Sequence, residues 1–200
     1  MDDIVVQAMA KWPDVPHCYG WLGLDGRGHW RMRDEQAQQL GLAGDKLSNP
    51  ALVGFILRNY ASDERGCWYF QNGPQRVYLE LETAPFVVRT DPASGWRLHT
   101  GALLGVIDAA ALTADGALLL RSGAIVAQLD DRDFAQVLPR LELDGAPVAD
   151  DALLAWLAQE RDGTLLLRDG DRSVPLQRLA SAQVPAYFSF VRSPAALQRA

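Results

Sequence analysis

Three short segments decide the fold prediction: GCWYFQNG at 66–73, GALLLRSG at 116–123 and GTLLLRDG at 163–170. Each segment begins and ends with glycine, and the final glycine follows Asn72, Ser122 or Asp169. A polar residue followed by glycine between two apolar runs is a strong signal of a β-hairpin turn. The pattern therefore predicts three β-hairpins, with strands near 67–71/75–82, 117–121/124–129 and 164–168/172–179.

A leucine follows each turn glycine at the same offset, at Leu79, Leu129 and Leu176. Side chains alternate between the two faces of a strand. The shared offset therefore predicts that these three leucines occupy equivalent positions on the return strands.

Two of the hairpins follow an amphipathic helical pattern. Asn49 suits a helix N-cap and Pro50 the first helical position, which predicts a helix starting there. Its apolar stripe consists of Leu52, Phe55, Ile56 and Tyr60. A second helix is predicted from Asp150 or Asp151, and its apolar face consists of Leu153, Leu154, Trp156 and Leu157.

A glycine-containing turn between short strands precedes each helix, at 22–30 and at 141–148, so the order hairpin, helix, hairpin, strand occurs twice along the chain. We predict an α+β fold of two related lobes, built from antiparallel β-hairpins that each pack against a helix, and formed by internal duplication. Residues 1–16 form an N-terminal segment, 17–92 the first lobe and 93–194 the second lobe, with DPASG at 91–95 as the link. In this scheme the hairpin at 116–129 is an addition to the second lobe, and strands follow Pro85 and Pro185.

Composition excludes several classes of protein. The 200 residues carry a formal net charge of −6, and no cluster of lysine and arginine offers the cationic surface that nucleic-acid binding requires. The longest uncharged stretches reach only about half of the ~20 residues that cross a bilayer. We therefore expect neither a nucleic-acid partner nor a membrane. The acidic N-terminus MDDIVV and the low cysteine content favour a cytoplasmic location.

Two apparent motifs do not carry the chemistry they suggest. GLAGDKLS at 41–48 resembles a phosphate loop, but Asp45 separates Gly44 from Lys46, so a surface loop is predicted. Glu80 and Glu82 share one face of a predicted strand and could serve acid–base chemistry, although such alternation is typical of a solvated face.

The histidines and cysteines show no metal-ligand spacing, and no G-x-S-x-G nucleophile motif is present. We therefore predict no metal, no cofactor and no assignable catalytic residue.

The candidate binding residues lie in the first lobe because the aromatic residues are concentrated there, 12 in residues 1–100 against 5 in 101–200. Large rings with polar ends are enriched where proteins meet ligands or partners. Arg31 and Arg33 alternate with Trp30 on a predicted strand, so both arginines share one face and could bind a carboxylate or phosphate. A hairpin tip with several donors and acceptors completes the predicted surface: Gln71, Asn72, Gln75 and Arg76.

WLGLDGRGHWRMRDE at 21–35 and ALVGFILRNYASDERGCWYFQNGPQRVYLELE at 51–82 together resemble an uncharacterised, domain-of-unknown-function family of proteobacterial proteins. The chain is more loosely similar to another such family, in which helix-and-hairpin motifs are repeated and a signalling role has been suggested. The resemblance implies an α+β repeat fold and a cytoplasmic location. It transfers no catalytic residue.

We expect a non-catalytic regulatory or adaptor protein that binds a small molecule or a protein through its first lobe. One alternative is an enzyme acting on a small acidic metabolite, with Arg31 or Arg76 orienting the substrate and a carboxylate as base. A third hypothesis is a self-associating structural protein, such as a homodimer formed by pairing of hairpin edge strands. A carboxylate with a raised pKa beside an arginine would favour the enzyme.

Overall fold

A computed structural model describes residues 1–93 and 95–198 of the chain. The chain forms two compact units. The first comprises Met1–Pro85 with the C-terminal segment from Ser189, and the second comprises Phe86–Phe188. The link predicted at 91–95 joins two strands of the second unit, and Ser94 within it lies outside the described residues.

The first unit consists of four helices and six strands among its described residues. The helices are α1 (Asp3–Lys11), α2 (Glu35–Gln39), α3 (Pro50–Arg58) and, near the C-terminus, α7 (Pro194–Leu197). The strands are β1 (Cys18–Leu24), β2 (Trp30–Met32), β3 (Asp45–Lys46), β4 (Tyr60–Ser62), β5 (Trp68–Asn72) and β6 (Gln75–Leu81).

These six strands form one sheet in the order β3-β2-β1-β6-β5-β4. Strand β1 pairs with β2 in antiparallel and with β6 in parallel, so β1 lies in the middle of the sheet. Helix α3 packs on β5, where the rings of Phe55 and Phe70 meet edge to face at 5.4 Å. The C-terminal segment returns to the sheet, and the Leu81 amide donates to the Arg192 carbonyl at 2.8 Å.

The second unit holds nine strands, three short α-helices and three 3₁₀ turns among its described residues. The strands are β7 (Phe86–Asp91), β8 (Gly95–Leu98), β9 (Ala109–Thr113), β10 (Leu118–Ser122), β11 (Ile125–Leu129), β12 (Leu141–Leu143), β13 (Ala146–Pro147), β14 (Leu165–Asp169) and β15 (Arg172–Leu179). The α-helices are α4 (Phe134–Val137), α5 (Asp150–Leu157) and α6 (Val184–Phe188), and the 3₁₀ turns are Asp131–Asp133, Leu138–Arg140 and Ser181–Gln183.

The nine strands form the sheet β13-β12-β14-β15-β9-β10-β11-β7-β8. Helix α5 buries Leu153 and Trp156, and the Trp156 indole donates to the Gly163 carbonyl at 3.0 Å. The chain is thus a mixed α+β protein with two sheets and associated helices, in a duplication-like arrangement of two units.

One strand-pairing pattern recurs three times. In the first unit, β2-β1-β6-β5-β4 combines a parallel β1–β6 pair with antiparallel pairs on either side. In the second unit, β8-β7-β11-β10-β9 repeats this order, with β7 and β11 as the parallel pair. The pattern appears again in β10-β9-β15-β14-β12, which shares β9 and β10 with the previous copy.

The hairpin at 116–129 is therefore a regular member of the repeat rather than an addition. The sequence suggests that the turns near 22–30 and 141–148 are equivalent. The strand pairing shows that they are not. Strand β1 is parallel to its neighbour β6, whereas β12 is antiparallel to its neighbour β14. Local sequence specifies a hairpin but does not specify which strand lies beside it.

All three predicted hairpins are confirmed, as β5–β6, β10–β11 and β14–β15. Each of the three leucines, Leu79, Leu129 and Leu176, is buried and lies in a parallel strand pair, β1–β6, β7–β11 and β9–β15 respectively. Each turn has two residues, of which the glycine is the first. The glycine has a φ near +60°, for example +55° at Gly73. Asn72 pairs with Gln75 inside the hairpin, and Pro74 occupies the second turn position, where its fixed negative φ is allowed.

The strand predicted after Pro185 is wrong. Residues 184–188 form helix α6, which buries Val184 and Phe188 one helical turn apart. The strand predicted after Pro85 is confirmed as β7, and the helix predicted at Asn49 is confirmed as α3, with the Asn49 side chain accepting from two amides of the first turn.

No helix among residues 1–93 and 95–198 is long and apolar enough to cross a membrane.

Candidate functional site

A buried carboxylate organises the turn between β1 and β2. Asp25 Oδ1 accepts hydrogen bonds from the backbone amides of Arg27 at 3.0 Å and His29 at 2.8 Å. Asp25 Oδ2 accepts from Arg31 Nε at 2.9 Å and lies 3.2 Å from His29 Nδ1. Burial disfavours the charged carboxylate, but these hydrogen bonds outweigh burial and hold the pKa of Asp25 below its ordinary value. Arg31 is therefore neutralised and fixed in place.

Arg33 has a different environment, although it lies two residues from Arg31 on the same face. Its Nε donates to the Leu42 carbonyl at 3.1 Å and its Nη1 to the Gly20 carbonyl at 3.4 Å. Within the described part of the chain, none of the ion pairs includes Arg33. Its positive charge is thus positioned by backbone carbonyls and left uncompensated by a carboxylate.

A glycine forms the floor beneath the two arginines. Gly23 pairs with Arg31 on β2 and with Glu80 on β6. A Cβ atom at Gly23 would lie 3.3 Å from the Glu80 carbonyl oxygen and 3.5 Å from Arg33 Cδ. Gly23 therefore has no side chain to fill the space above the centre of the sheet, and the Glu80 backbone and the Arg33 side chain approach it closely.

This space is a cleft of about 420 Å³ that lies wholly within the first unit. Residues Gly41–Ala43 form one wall, where the Leu42 side chain is 53% exposed. Glu80 and Glu82 lie in the lining as well. Arg33 and Glu80 also line an adjoining hollow of about 340 Å³, so these two side chains stand between the two spaces.

Each of the two glutamates accepts a backbone hydrogen bond. Glu80 Oε1 accepts from the Ala195 amide at 3.3 Å, and Glu82 Oε2 accepts from the Gly26 amide at 3.1 Å. No lysine or arginine of the described residues forms an ion pair with either one. The cleft thus contains one uncompensated cation and two uncompensated carboxylates.

The wall at 41–43 is held against β2 by close backbone contacts. Gly44 adopts φ +83°, and a Cβ there would lie only 2.2 Å from the Met32 carbonyl oxygen. The Arg31 guanidinium donates to the Gly44 carbonyl at 3.5 Å, and Arg33 holds the Leu42 carbonyl. The two arginines therefore set the position of this wall.

The sequence-predicted surface does not form as one patch. Arg31 and Arg33 lie together in the cleft, but Trp30 points to the other face and is 2% exposed, with its ring edge to face against Tyr60 at 5.2 Å. Trp30 is therefore a core residue and cannot contact a partner. Alternation along β2 puts it opposite the arginines, and the other face of this sheet is buried.

The hairpin-tip residues lie elsewhere on the sheet. Gln71 is 1% exposed and donates to the Gly73 carbonyl, so it cannot contact a partner either. Gln75 donates to the Pro16 carbonyl, and the Arg76 guanidinium lies 4.7 Å from the centre of the Tyr69 ring. Asn72 is exposed at the turn.

Register explains why the two groups stay apart. Arg76 precedes Glu80 by four residues on β6, which corresponds to about 13 Å along the strand. Arg31 lies two strands further across the sheet, beside Gly23. The tip residues therefore do not reach the cleft.

The sequence interpretation missed several lining residues of the cleft: Gly23, Asp25, Leu42, Glu80 and Glu82. The alternation of Glu80 and Glu82 is the signal that the sequence offers, although such alternation is typical of a solvated face. No group of three or more histidine, cysteine or acidic side chains that could hold a metal ion occurs within residues 1–93 and 95–198.

Asp25→Asn should lower the free energy of unfolding by about 2 kcal/mol at pH 7, because the charged hydrogen bonds to Arg31 and His29 are lost. The folded-state pKa of Asp25 is lowered, so its contribution to stability is complete above the ordinary carboxyl pKa and is lost as the pH falls through the folded value. Urea unfolding at pH 7 and pH 3 should show a difference between variant and wild type that shrinks at pH 3. The exposed Asp45→Asn is the control, and an equal difference at both pH values would contradict this assignment.

Comparison with known proteins gives a family. The family model whose description reads "Protein of unknown function (DUF2946)" matches residues 1–195. The chain belongs to this family, which is named DUF2944 although its description carries the number 2946. The description of the DUF2944 family gives no function, and a comparison with curated proteins finds no match for this chain.

Two solved structures resemble this DUF2944 protein. The crystal structure of a DUF1285 family protein from Silicibacter pomeroyi DSS-3 has a TM-score of 0.51 and 16% identity, and the match covers 82% of this chain and 84% of that chain. A DUF1285 family protein from Shewanella baltica OS155 has a TM-score of 0.39 and 17% identity, over 58% of this chain and 88% of that chain. At this identity the Silicibacter protein supports the fold alone.

Proposed function

We propose that this protein is a non-catalytic regulatory module that binds a small carboxylate ligand in the cleft of its first unit. The observation that carries the proposal is Arg33, a cation oriented by two backbone carbonyls and lacking a carboxylate partner among the described residues. Arginine is the side chain best suited to bind a carboxylate through paired hydrogen bonds.

The walls of the cleft suit an apolar ligand body. Leu42 is half-exposed at the wall, and Gly23 leaves the floor without a side chain. Burying such a side chain against the ligand contributes roughly 25 cal/mol per Å² of apolar surface. The ligand we propose therefore combines one carboxylate with an aliphatic portion.

The state of Asp25 argues against the enzyme alternative. A general base needs a carboxylate whose pKa lies near the working pH. Hydrogen bonds from His29, Arg31 and Arg27 keep the pKa of Asp25 low despite its burial, and they occupy both of its oxygens. Asp25 thus acts as the positioning residue of Arg31.

The second contact of Arg33 supports the regulatory part of the proposal. The guanidinium that meets the ligand also holds the Leu42 carbonyl, and Leu42 belongs to the wall of the cleft. A carboxylate that binds Arg33 competes for the same guanidinium. Occupancy of the cleft is therefore coupled to the position of residues 41–43.

Binding of 4-methylpentanoate, a carboxylate with a branched aliphatic tail, tests the proposal. Arg33→Gln should weaken its affinity at least tenfold, because a charged hydrogen bond is lost while the carbonyl contacts of the side chain can persist. Affinities are measured by following the amide signals of the full chain by NMR as the ligand is added.

Arg172→Gln is the matched control, since Arg172 is exposed on β15 of the other unit. It should bind 4-methylpentanoate as the wild type does. Equal affinity of the wild type and Arg33→Gln, or wild-type binding of neither 4-methylpentanoate nor its 2-amino derivative L-leucine, would overturn the proposal.

A further inference from the structure

The two glutamates of the cleft identify the other half of the ligand. We propose that the ligand is an amino-acid-type zwitterion, with its carboxylate on Arg33 and its ammonium group on Glu80 and Glu82. This inference rests on the proposed function and specifies the chemical class of the ligand.

Charge balance is the first argument. Arg31 and Asp25 compensate each other through a contact of 2.7 Å, which leaves Arg33 opposite Glu80 and Glu82. The uncompensated lining therefore carries one positive and two negative charges. A simple carboxylate would add a further negative charge near two glutamates, whereas an ammonium group offsets one of them.

The arrangement on the sheet is the second argument. Glu80 and Glu82 alternate on β6 and its continuation, so they project from one face about 7 Å apart. Gly23 lies beside Glu80 in the parallel ladder and beneath Arg33. A ligand over Gly23 therefore has the cation on one side and the carboxylates on the other.

The same arrangement rejects competing ligands. A dicarboxylate would place its second anion against Glu80 or Glu82, and an amine without a carboxylate would leave Arg33 unpaired beside a cation. Discrimination of this kind comes from repulsion as much as from attraction.

Three compounds that share the isobutyl group of leucine separate the contributions. L-leucine carries both groups, 4-methylpentanoate lacks the amine and 3-methylbutylamine lacks the carboxylate. On the full chain, L-leucine should bind at least tenfold more tightly than either of the others. Glu80→Gln should reduce the affinity for L-leucine to that for 4-methylpentanoate, while leaving 4-methylpentanoate binding equal or tighter.

Glutamine at position 80 retains an oxygen that can accept from the Ala195 amide, so the local structure should persist. Glu82→Gln provides a second variant with the same expectation for L-leucine. The zwitterion proposal would be overturned if the wild type bound L-leucine no more tightly than 4-methylpentanoate. It would also be overturned if the ratio of these two affinities were unchanged in both glutamine variants.

The two proposals fail in different ways. Arg33-dependent binding of 4-methylpentanoate without any preference for L-leucine would leave the carboxylate site standing and remove only the ammonium subsite. Absence of Arg33-dependent binding of all three compounds would remove both.

Discussion

Replacement of Asp133 by alanine is expected to lower the free energy of unfolding by about 3 kcal/mol, because it removes a buried carboxylate that accepts several hydrogen bonds. Asp133 is 1% exposed in the second unit. Its Oδ1 accepts from Arg89 Nη2 at 2.9 Å, and its Oδ2 accepts from the Thr90 amide at 2.9 Å. The alanine variant leaves the Thr90 amide without its acceptor and removes the nearer of the two carboxylates beside Arg89, whose Nε lies 3.9 Å from Asp130 Oδ2.

Urea unfolding at pH 7 measures this effect. Asp162→Ala is the matched control, since Asp162 is exposed in a loop of the same unit and should change stability by less than ~0.5 kcal/mol. A loss below about 1 kcal/mol for Asp133→Ala would show that these hydrogen bonds contribute little to the second unit.

Gly44→Ala is expected to cost about 2–4 kcal/mol and to abolish ligand binding in the cleft. The left-handed backbone at Gly44 disfavours any Cβ atom. Here the added Cβ would also lie 2.2 Å from the Met32 carbonyl oxygen and 2.9 Å from Arg33 Cγ. The wall at 41–43 must then move away from β2, and Arg33 must move with it.

Gly41→Ala provides a matched control in the same loop. Gly41 has φ +65°, but a Cβ there would meet no atom within 4 Å. It should cost only the ~1–2 kcal/mol of a left-handed alanine. Urea unfolding and titration with 4-methylpentanoate compare the two variants, and equal effects would show that the contact with Met32 does not hold the wall.

The fold could be predicted from sequence wherever the signal is local. The glycines that end the three short segments are confirmed as turn residues, and Leu79, Leu129 and Leu176 are confirmed as equivalent core positions. Strand neighbours could not be predicted. The parallel β1–β6 pair joins residues that are far apart along the chain, and no local pattern specifies it.

Periodicity also failed where an apolar run was short. The apolar run at 185–191, which Pro185 opens, predicts a strand. The preceding 3₁₀ turn at Ser181–Gln183 instead leads into α6, where Val184 and Phe188 meet the core at helical spacing. Short apolar runs do not distinguish the two structures.

The candidate site was predicted in part. Alternation along β2 correctly puts Arg31 and Arg33 on one face. It does not show that Asp25 forms an ion pair with Arg31 and not with Arg33, because that depends on the turn geometry at 25–29. Nor does it bring Glu80 and the wall at 41–43 to Arg33, since these contacts come from strand pairing and loop packing.

The most direct test of the cleft is an NMR titration of the uniformly ¹⁵N-labelled full chain with L-leucine. The account predicts saturable shifts concentrated at the amides of Gly23, Leu42 and Ala43, with the amides of Asn72 and Arg76 unchanged. Shifts confined to the β5–β6 turn or to the second unit, or no saturable shift at any amide, would contradict it.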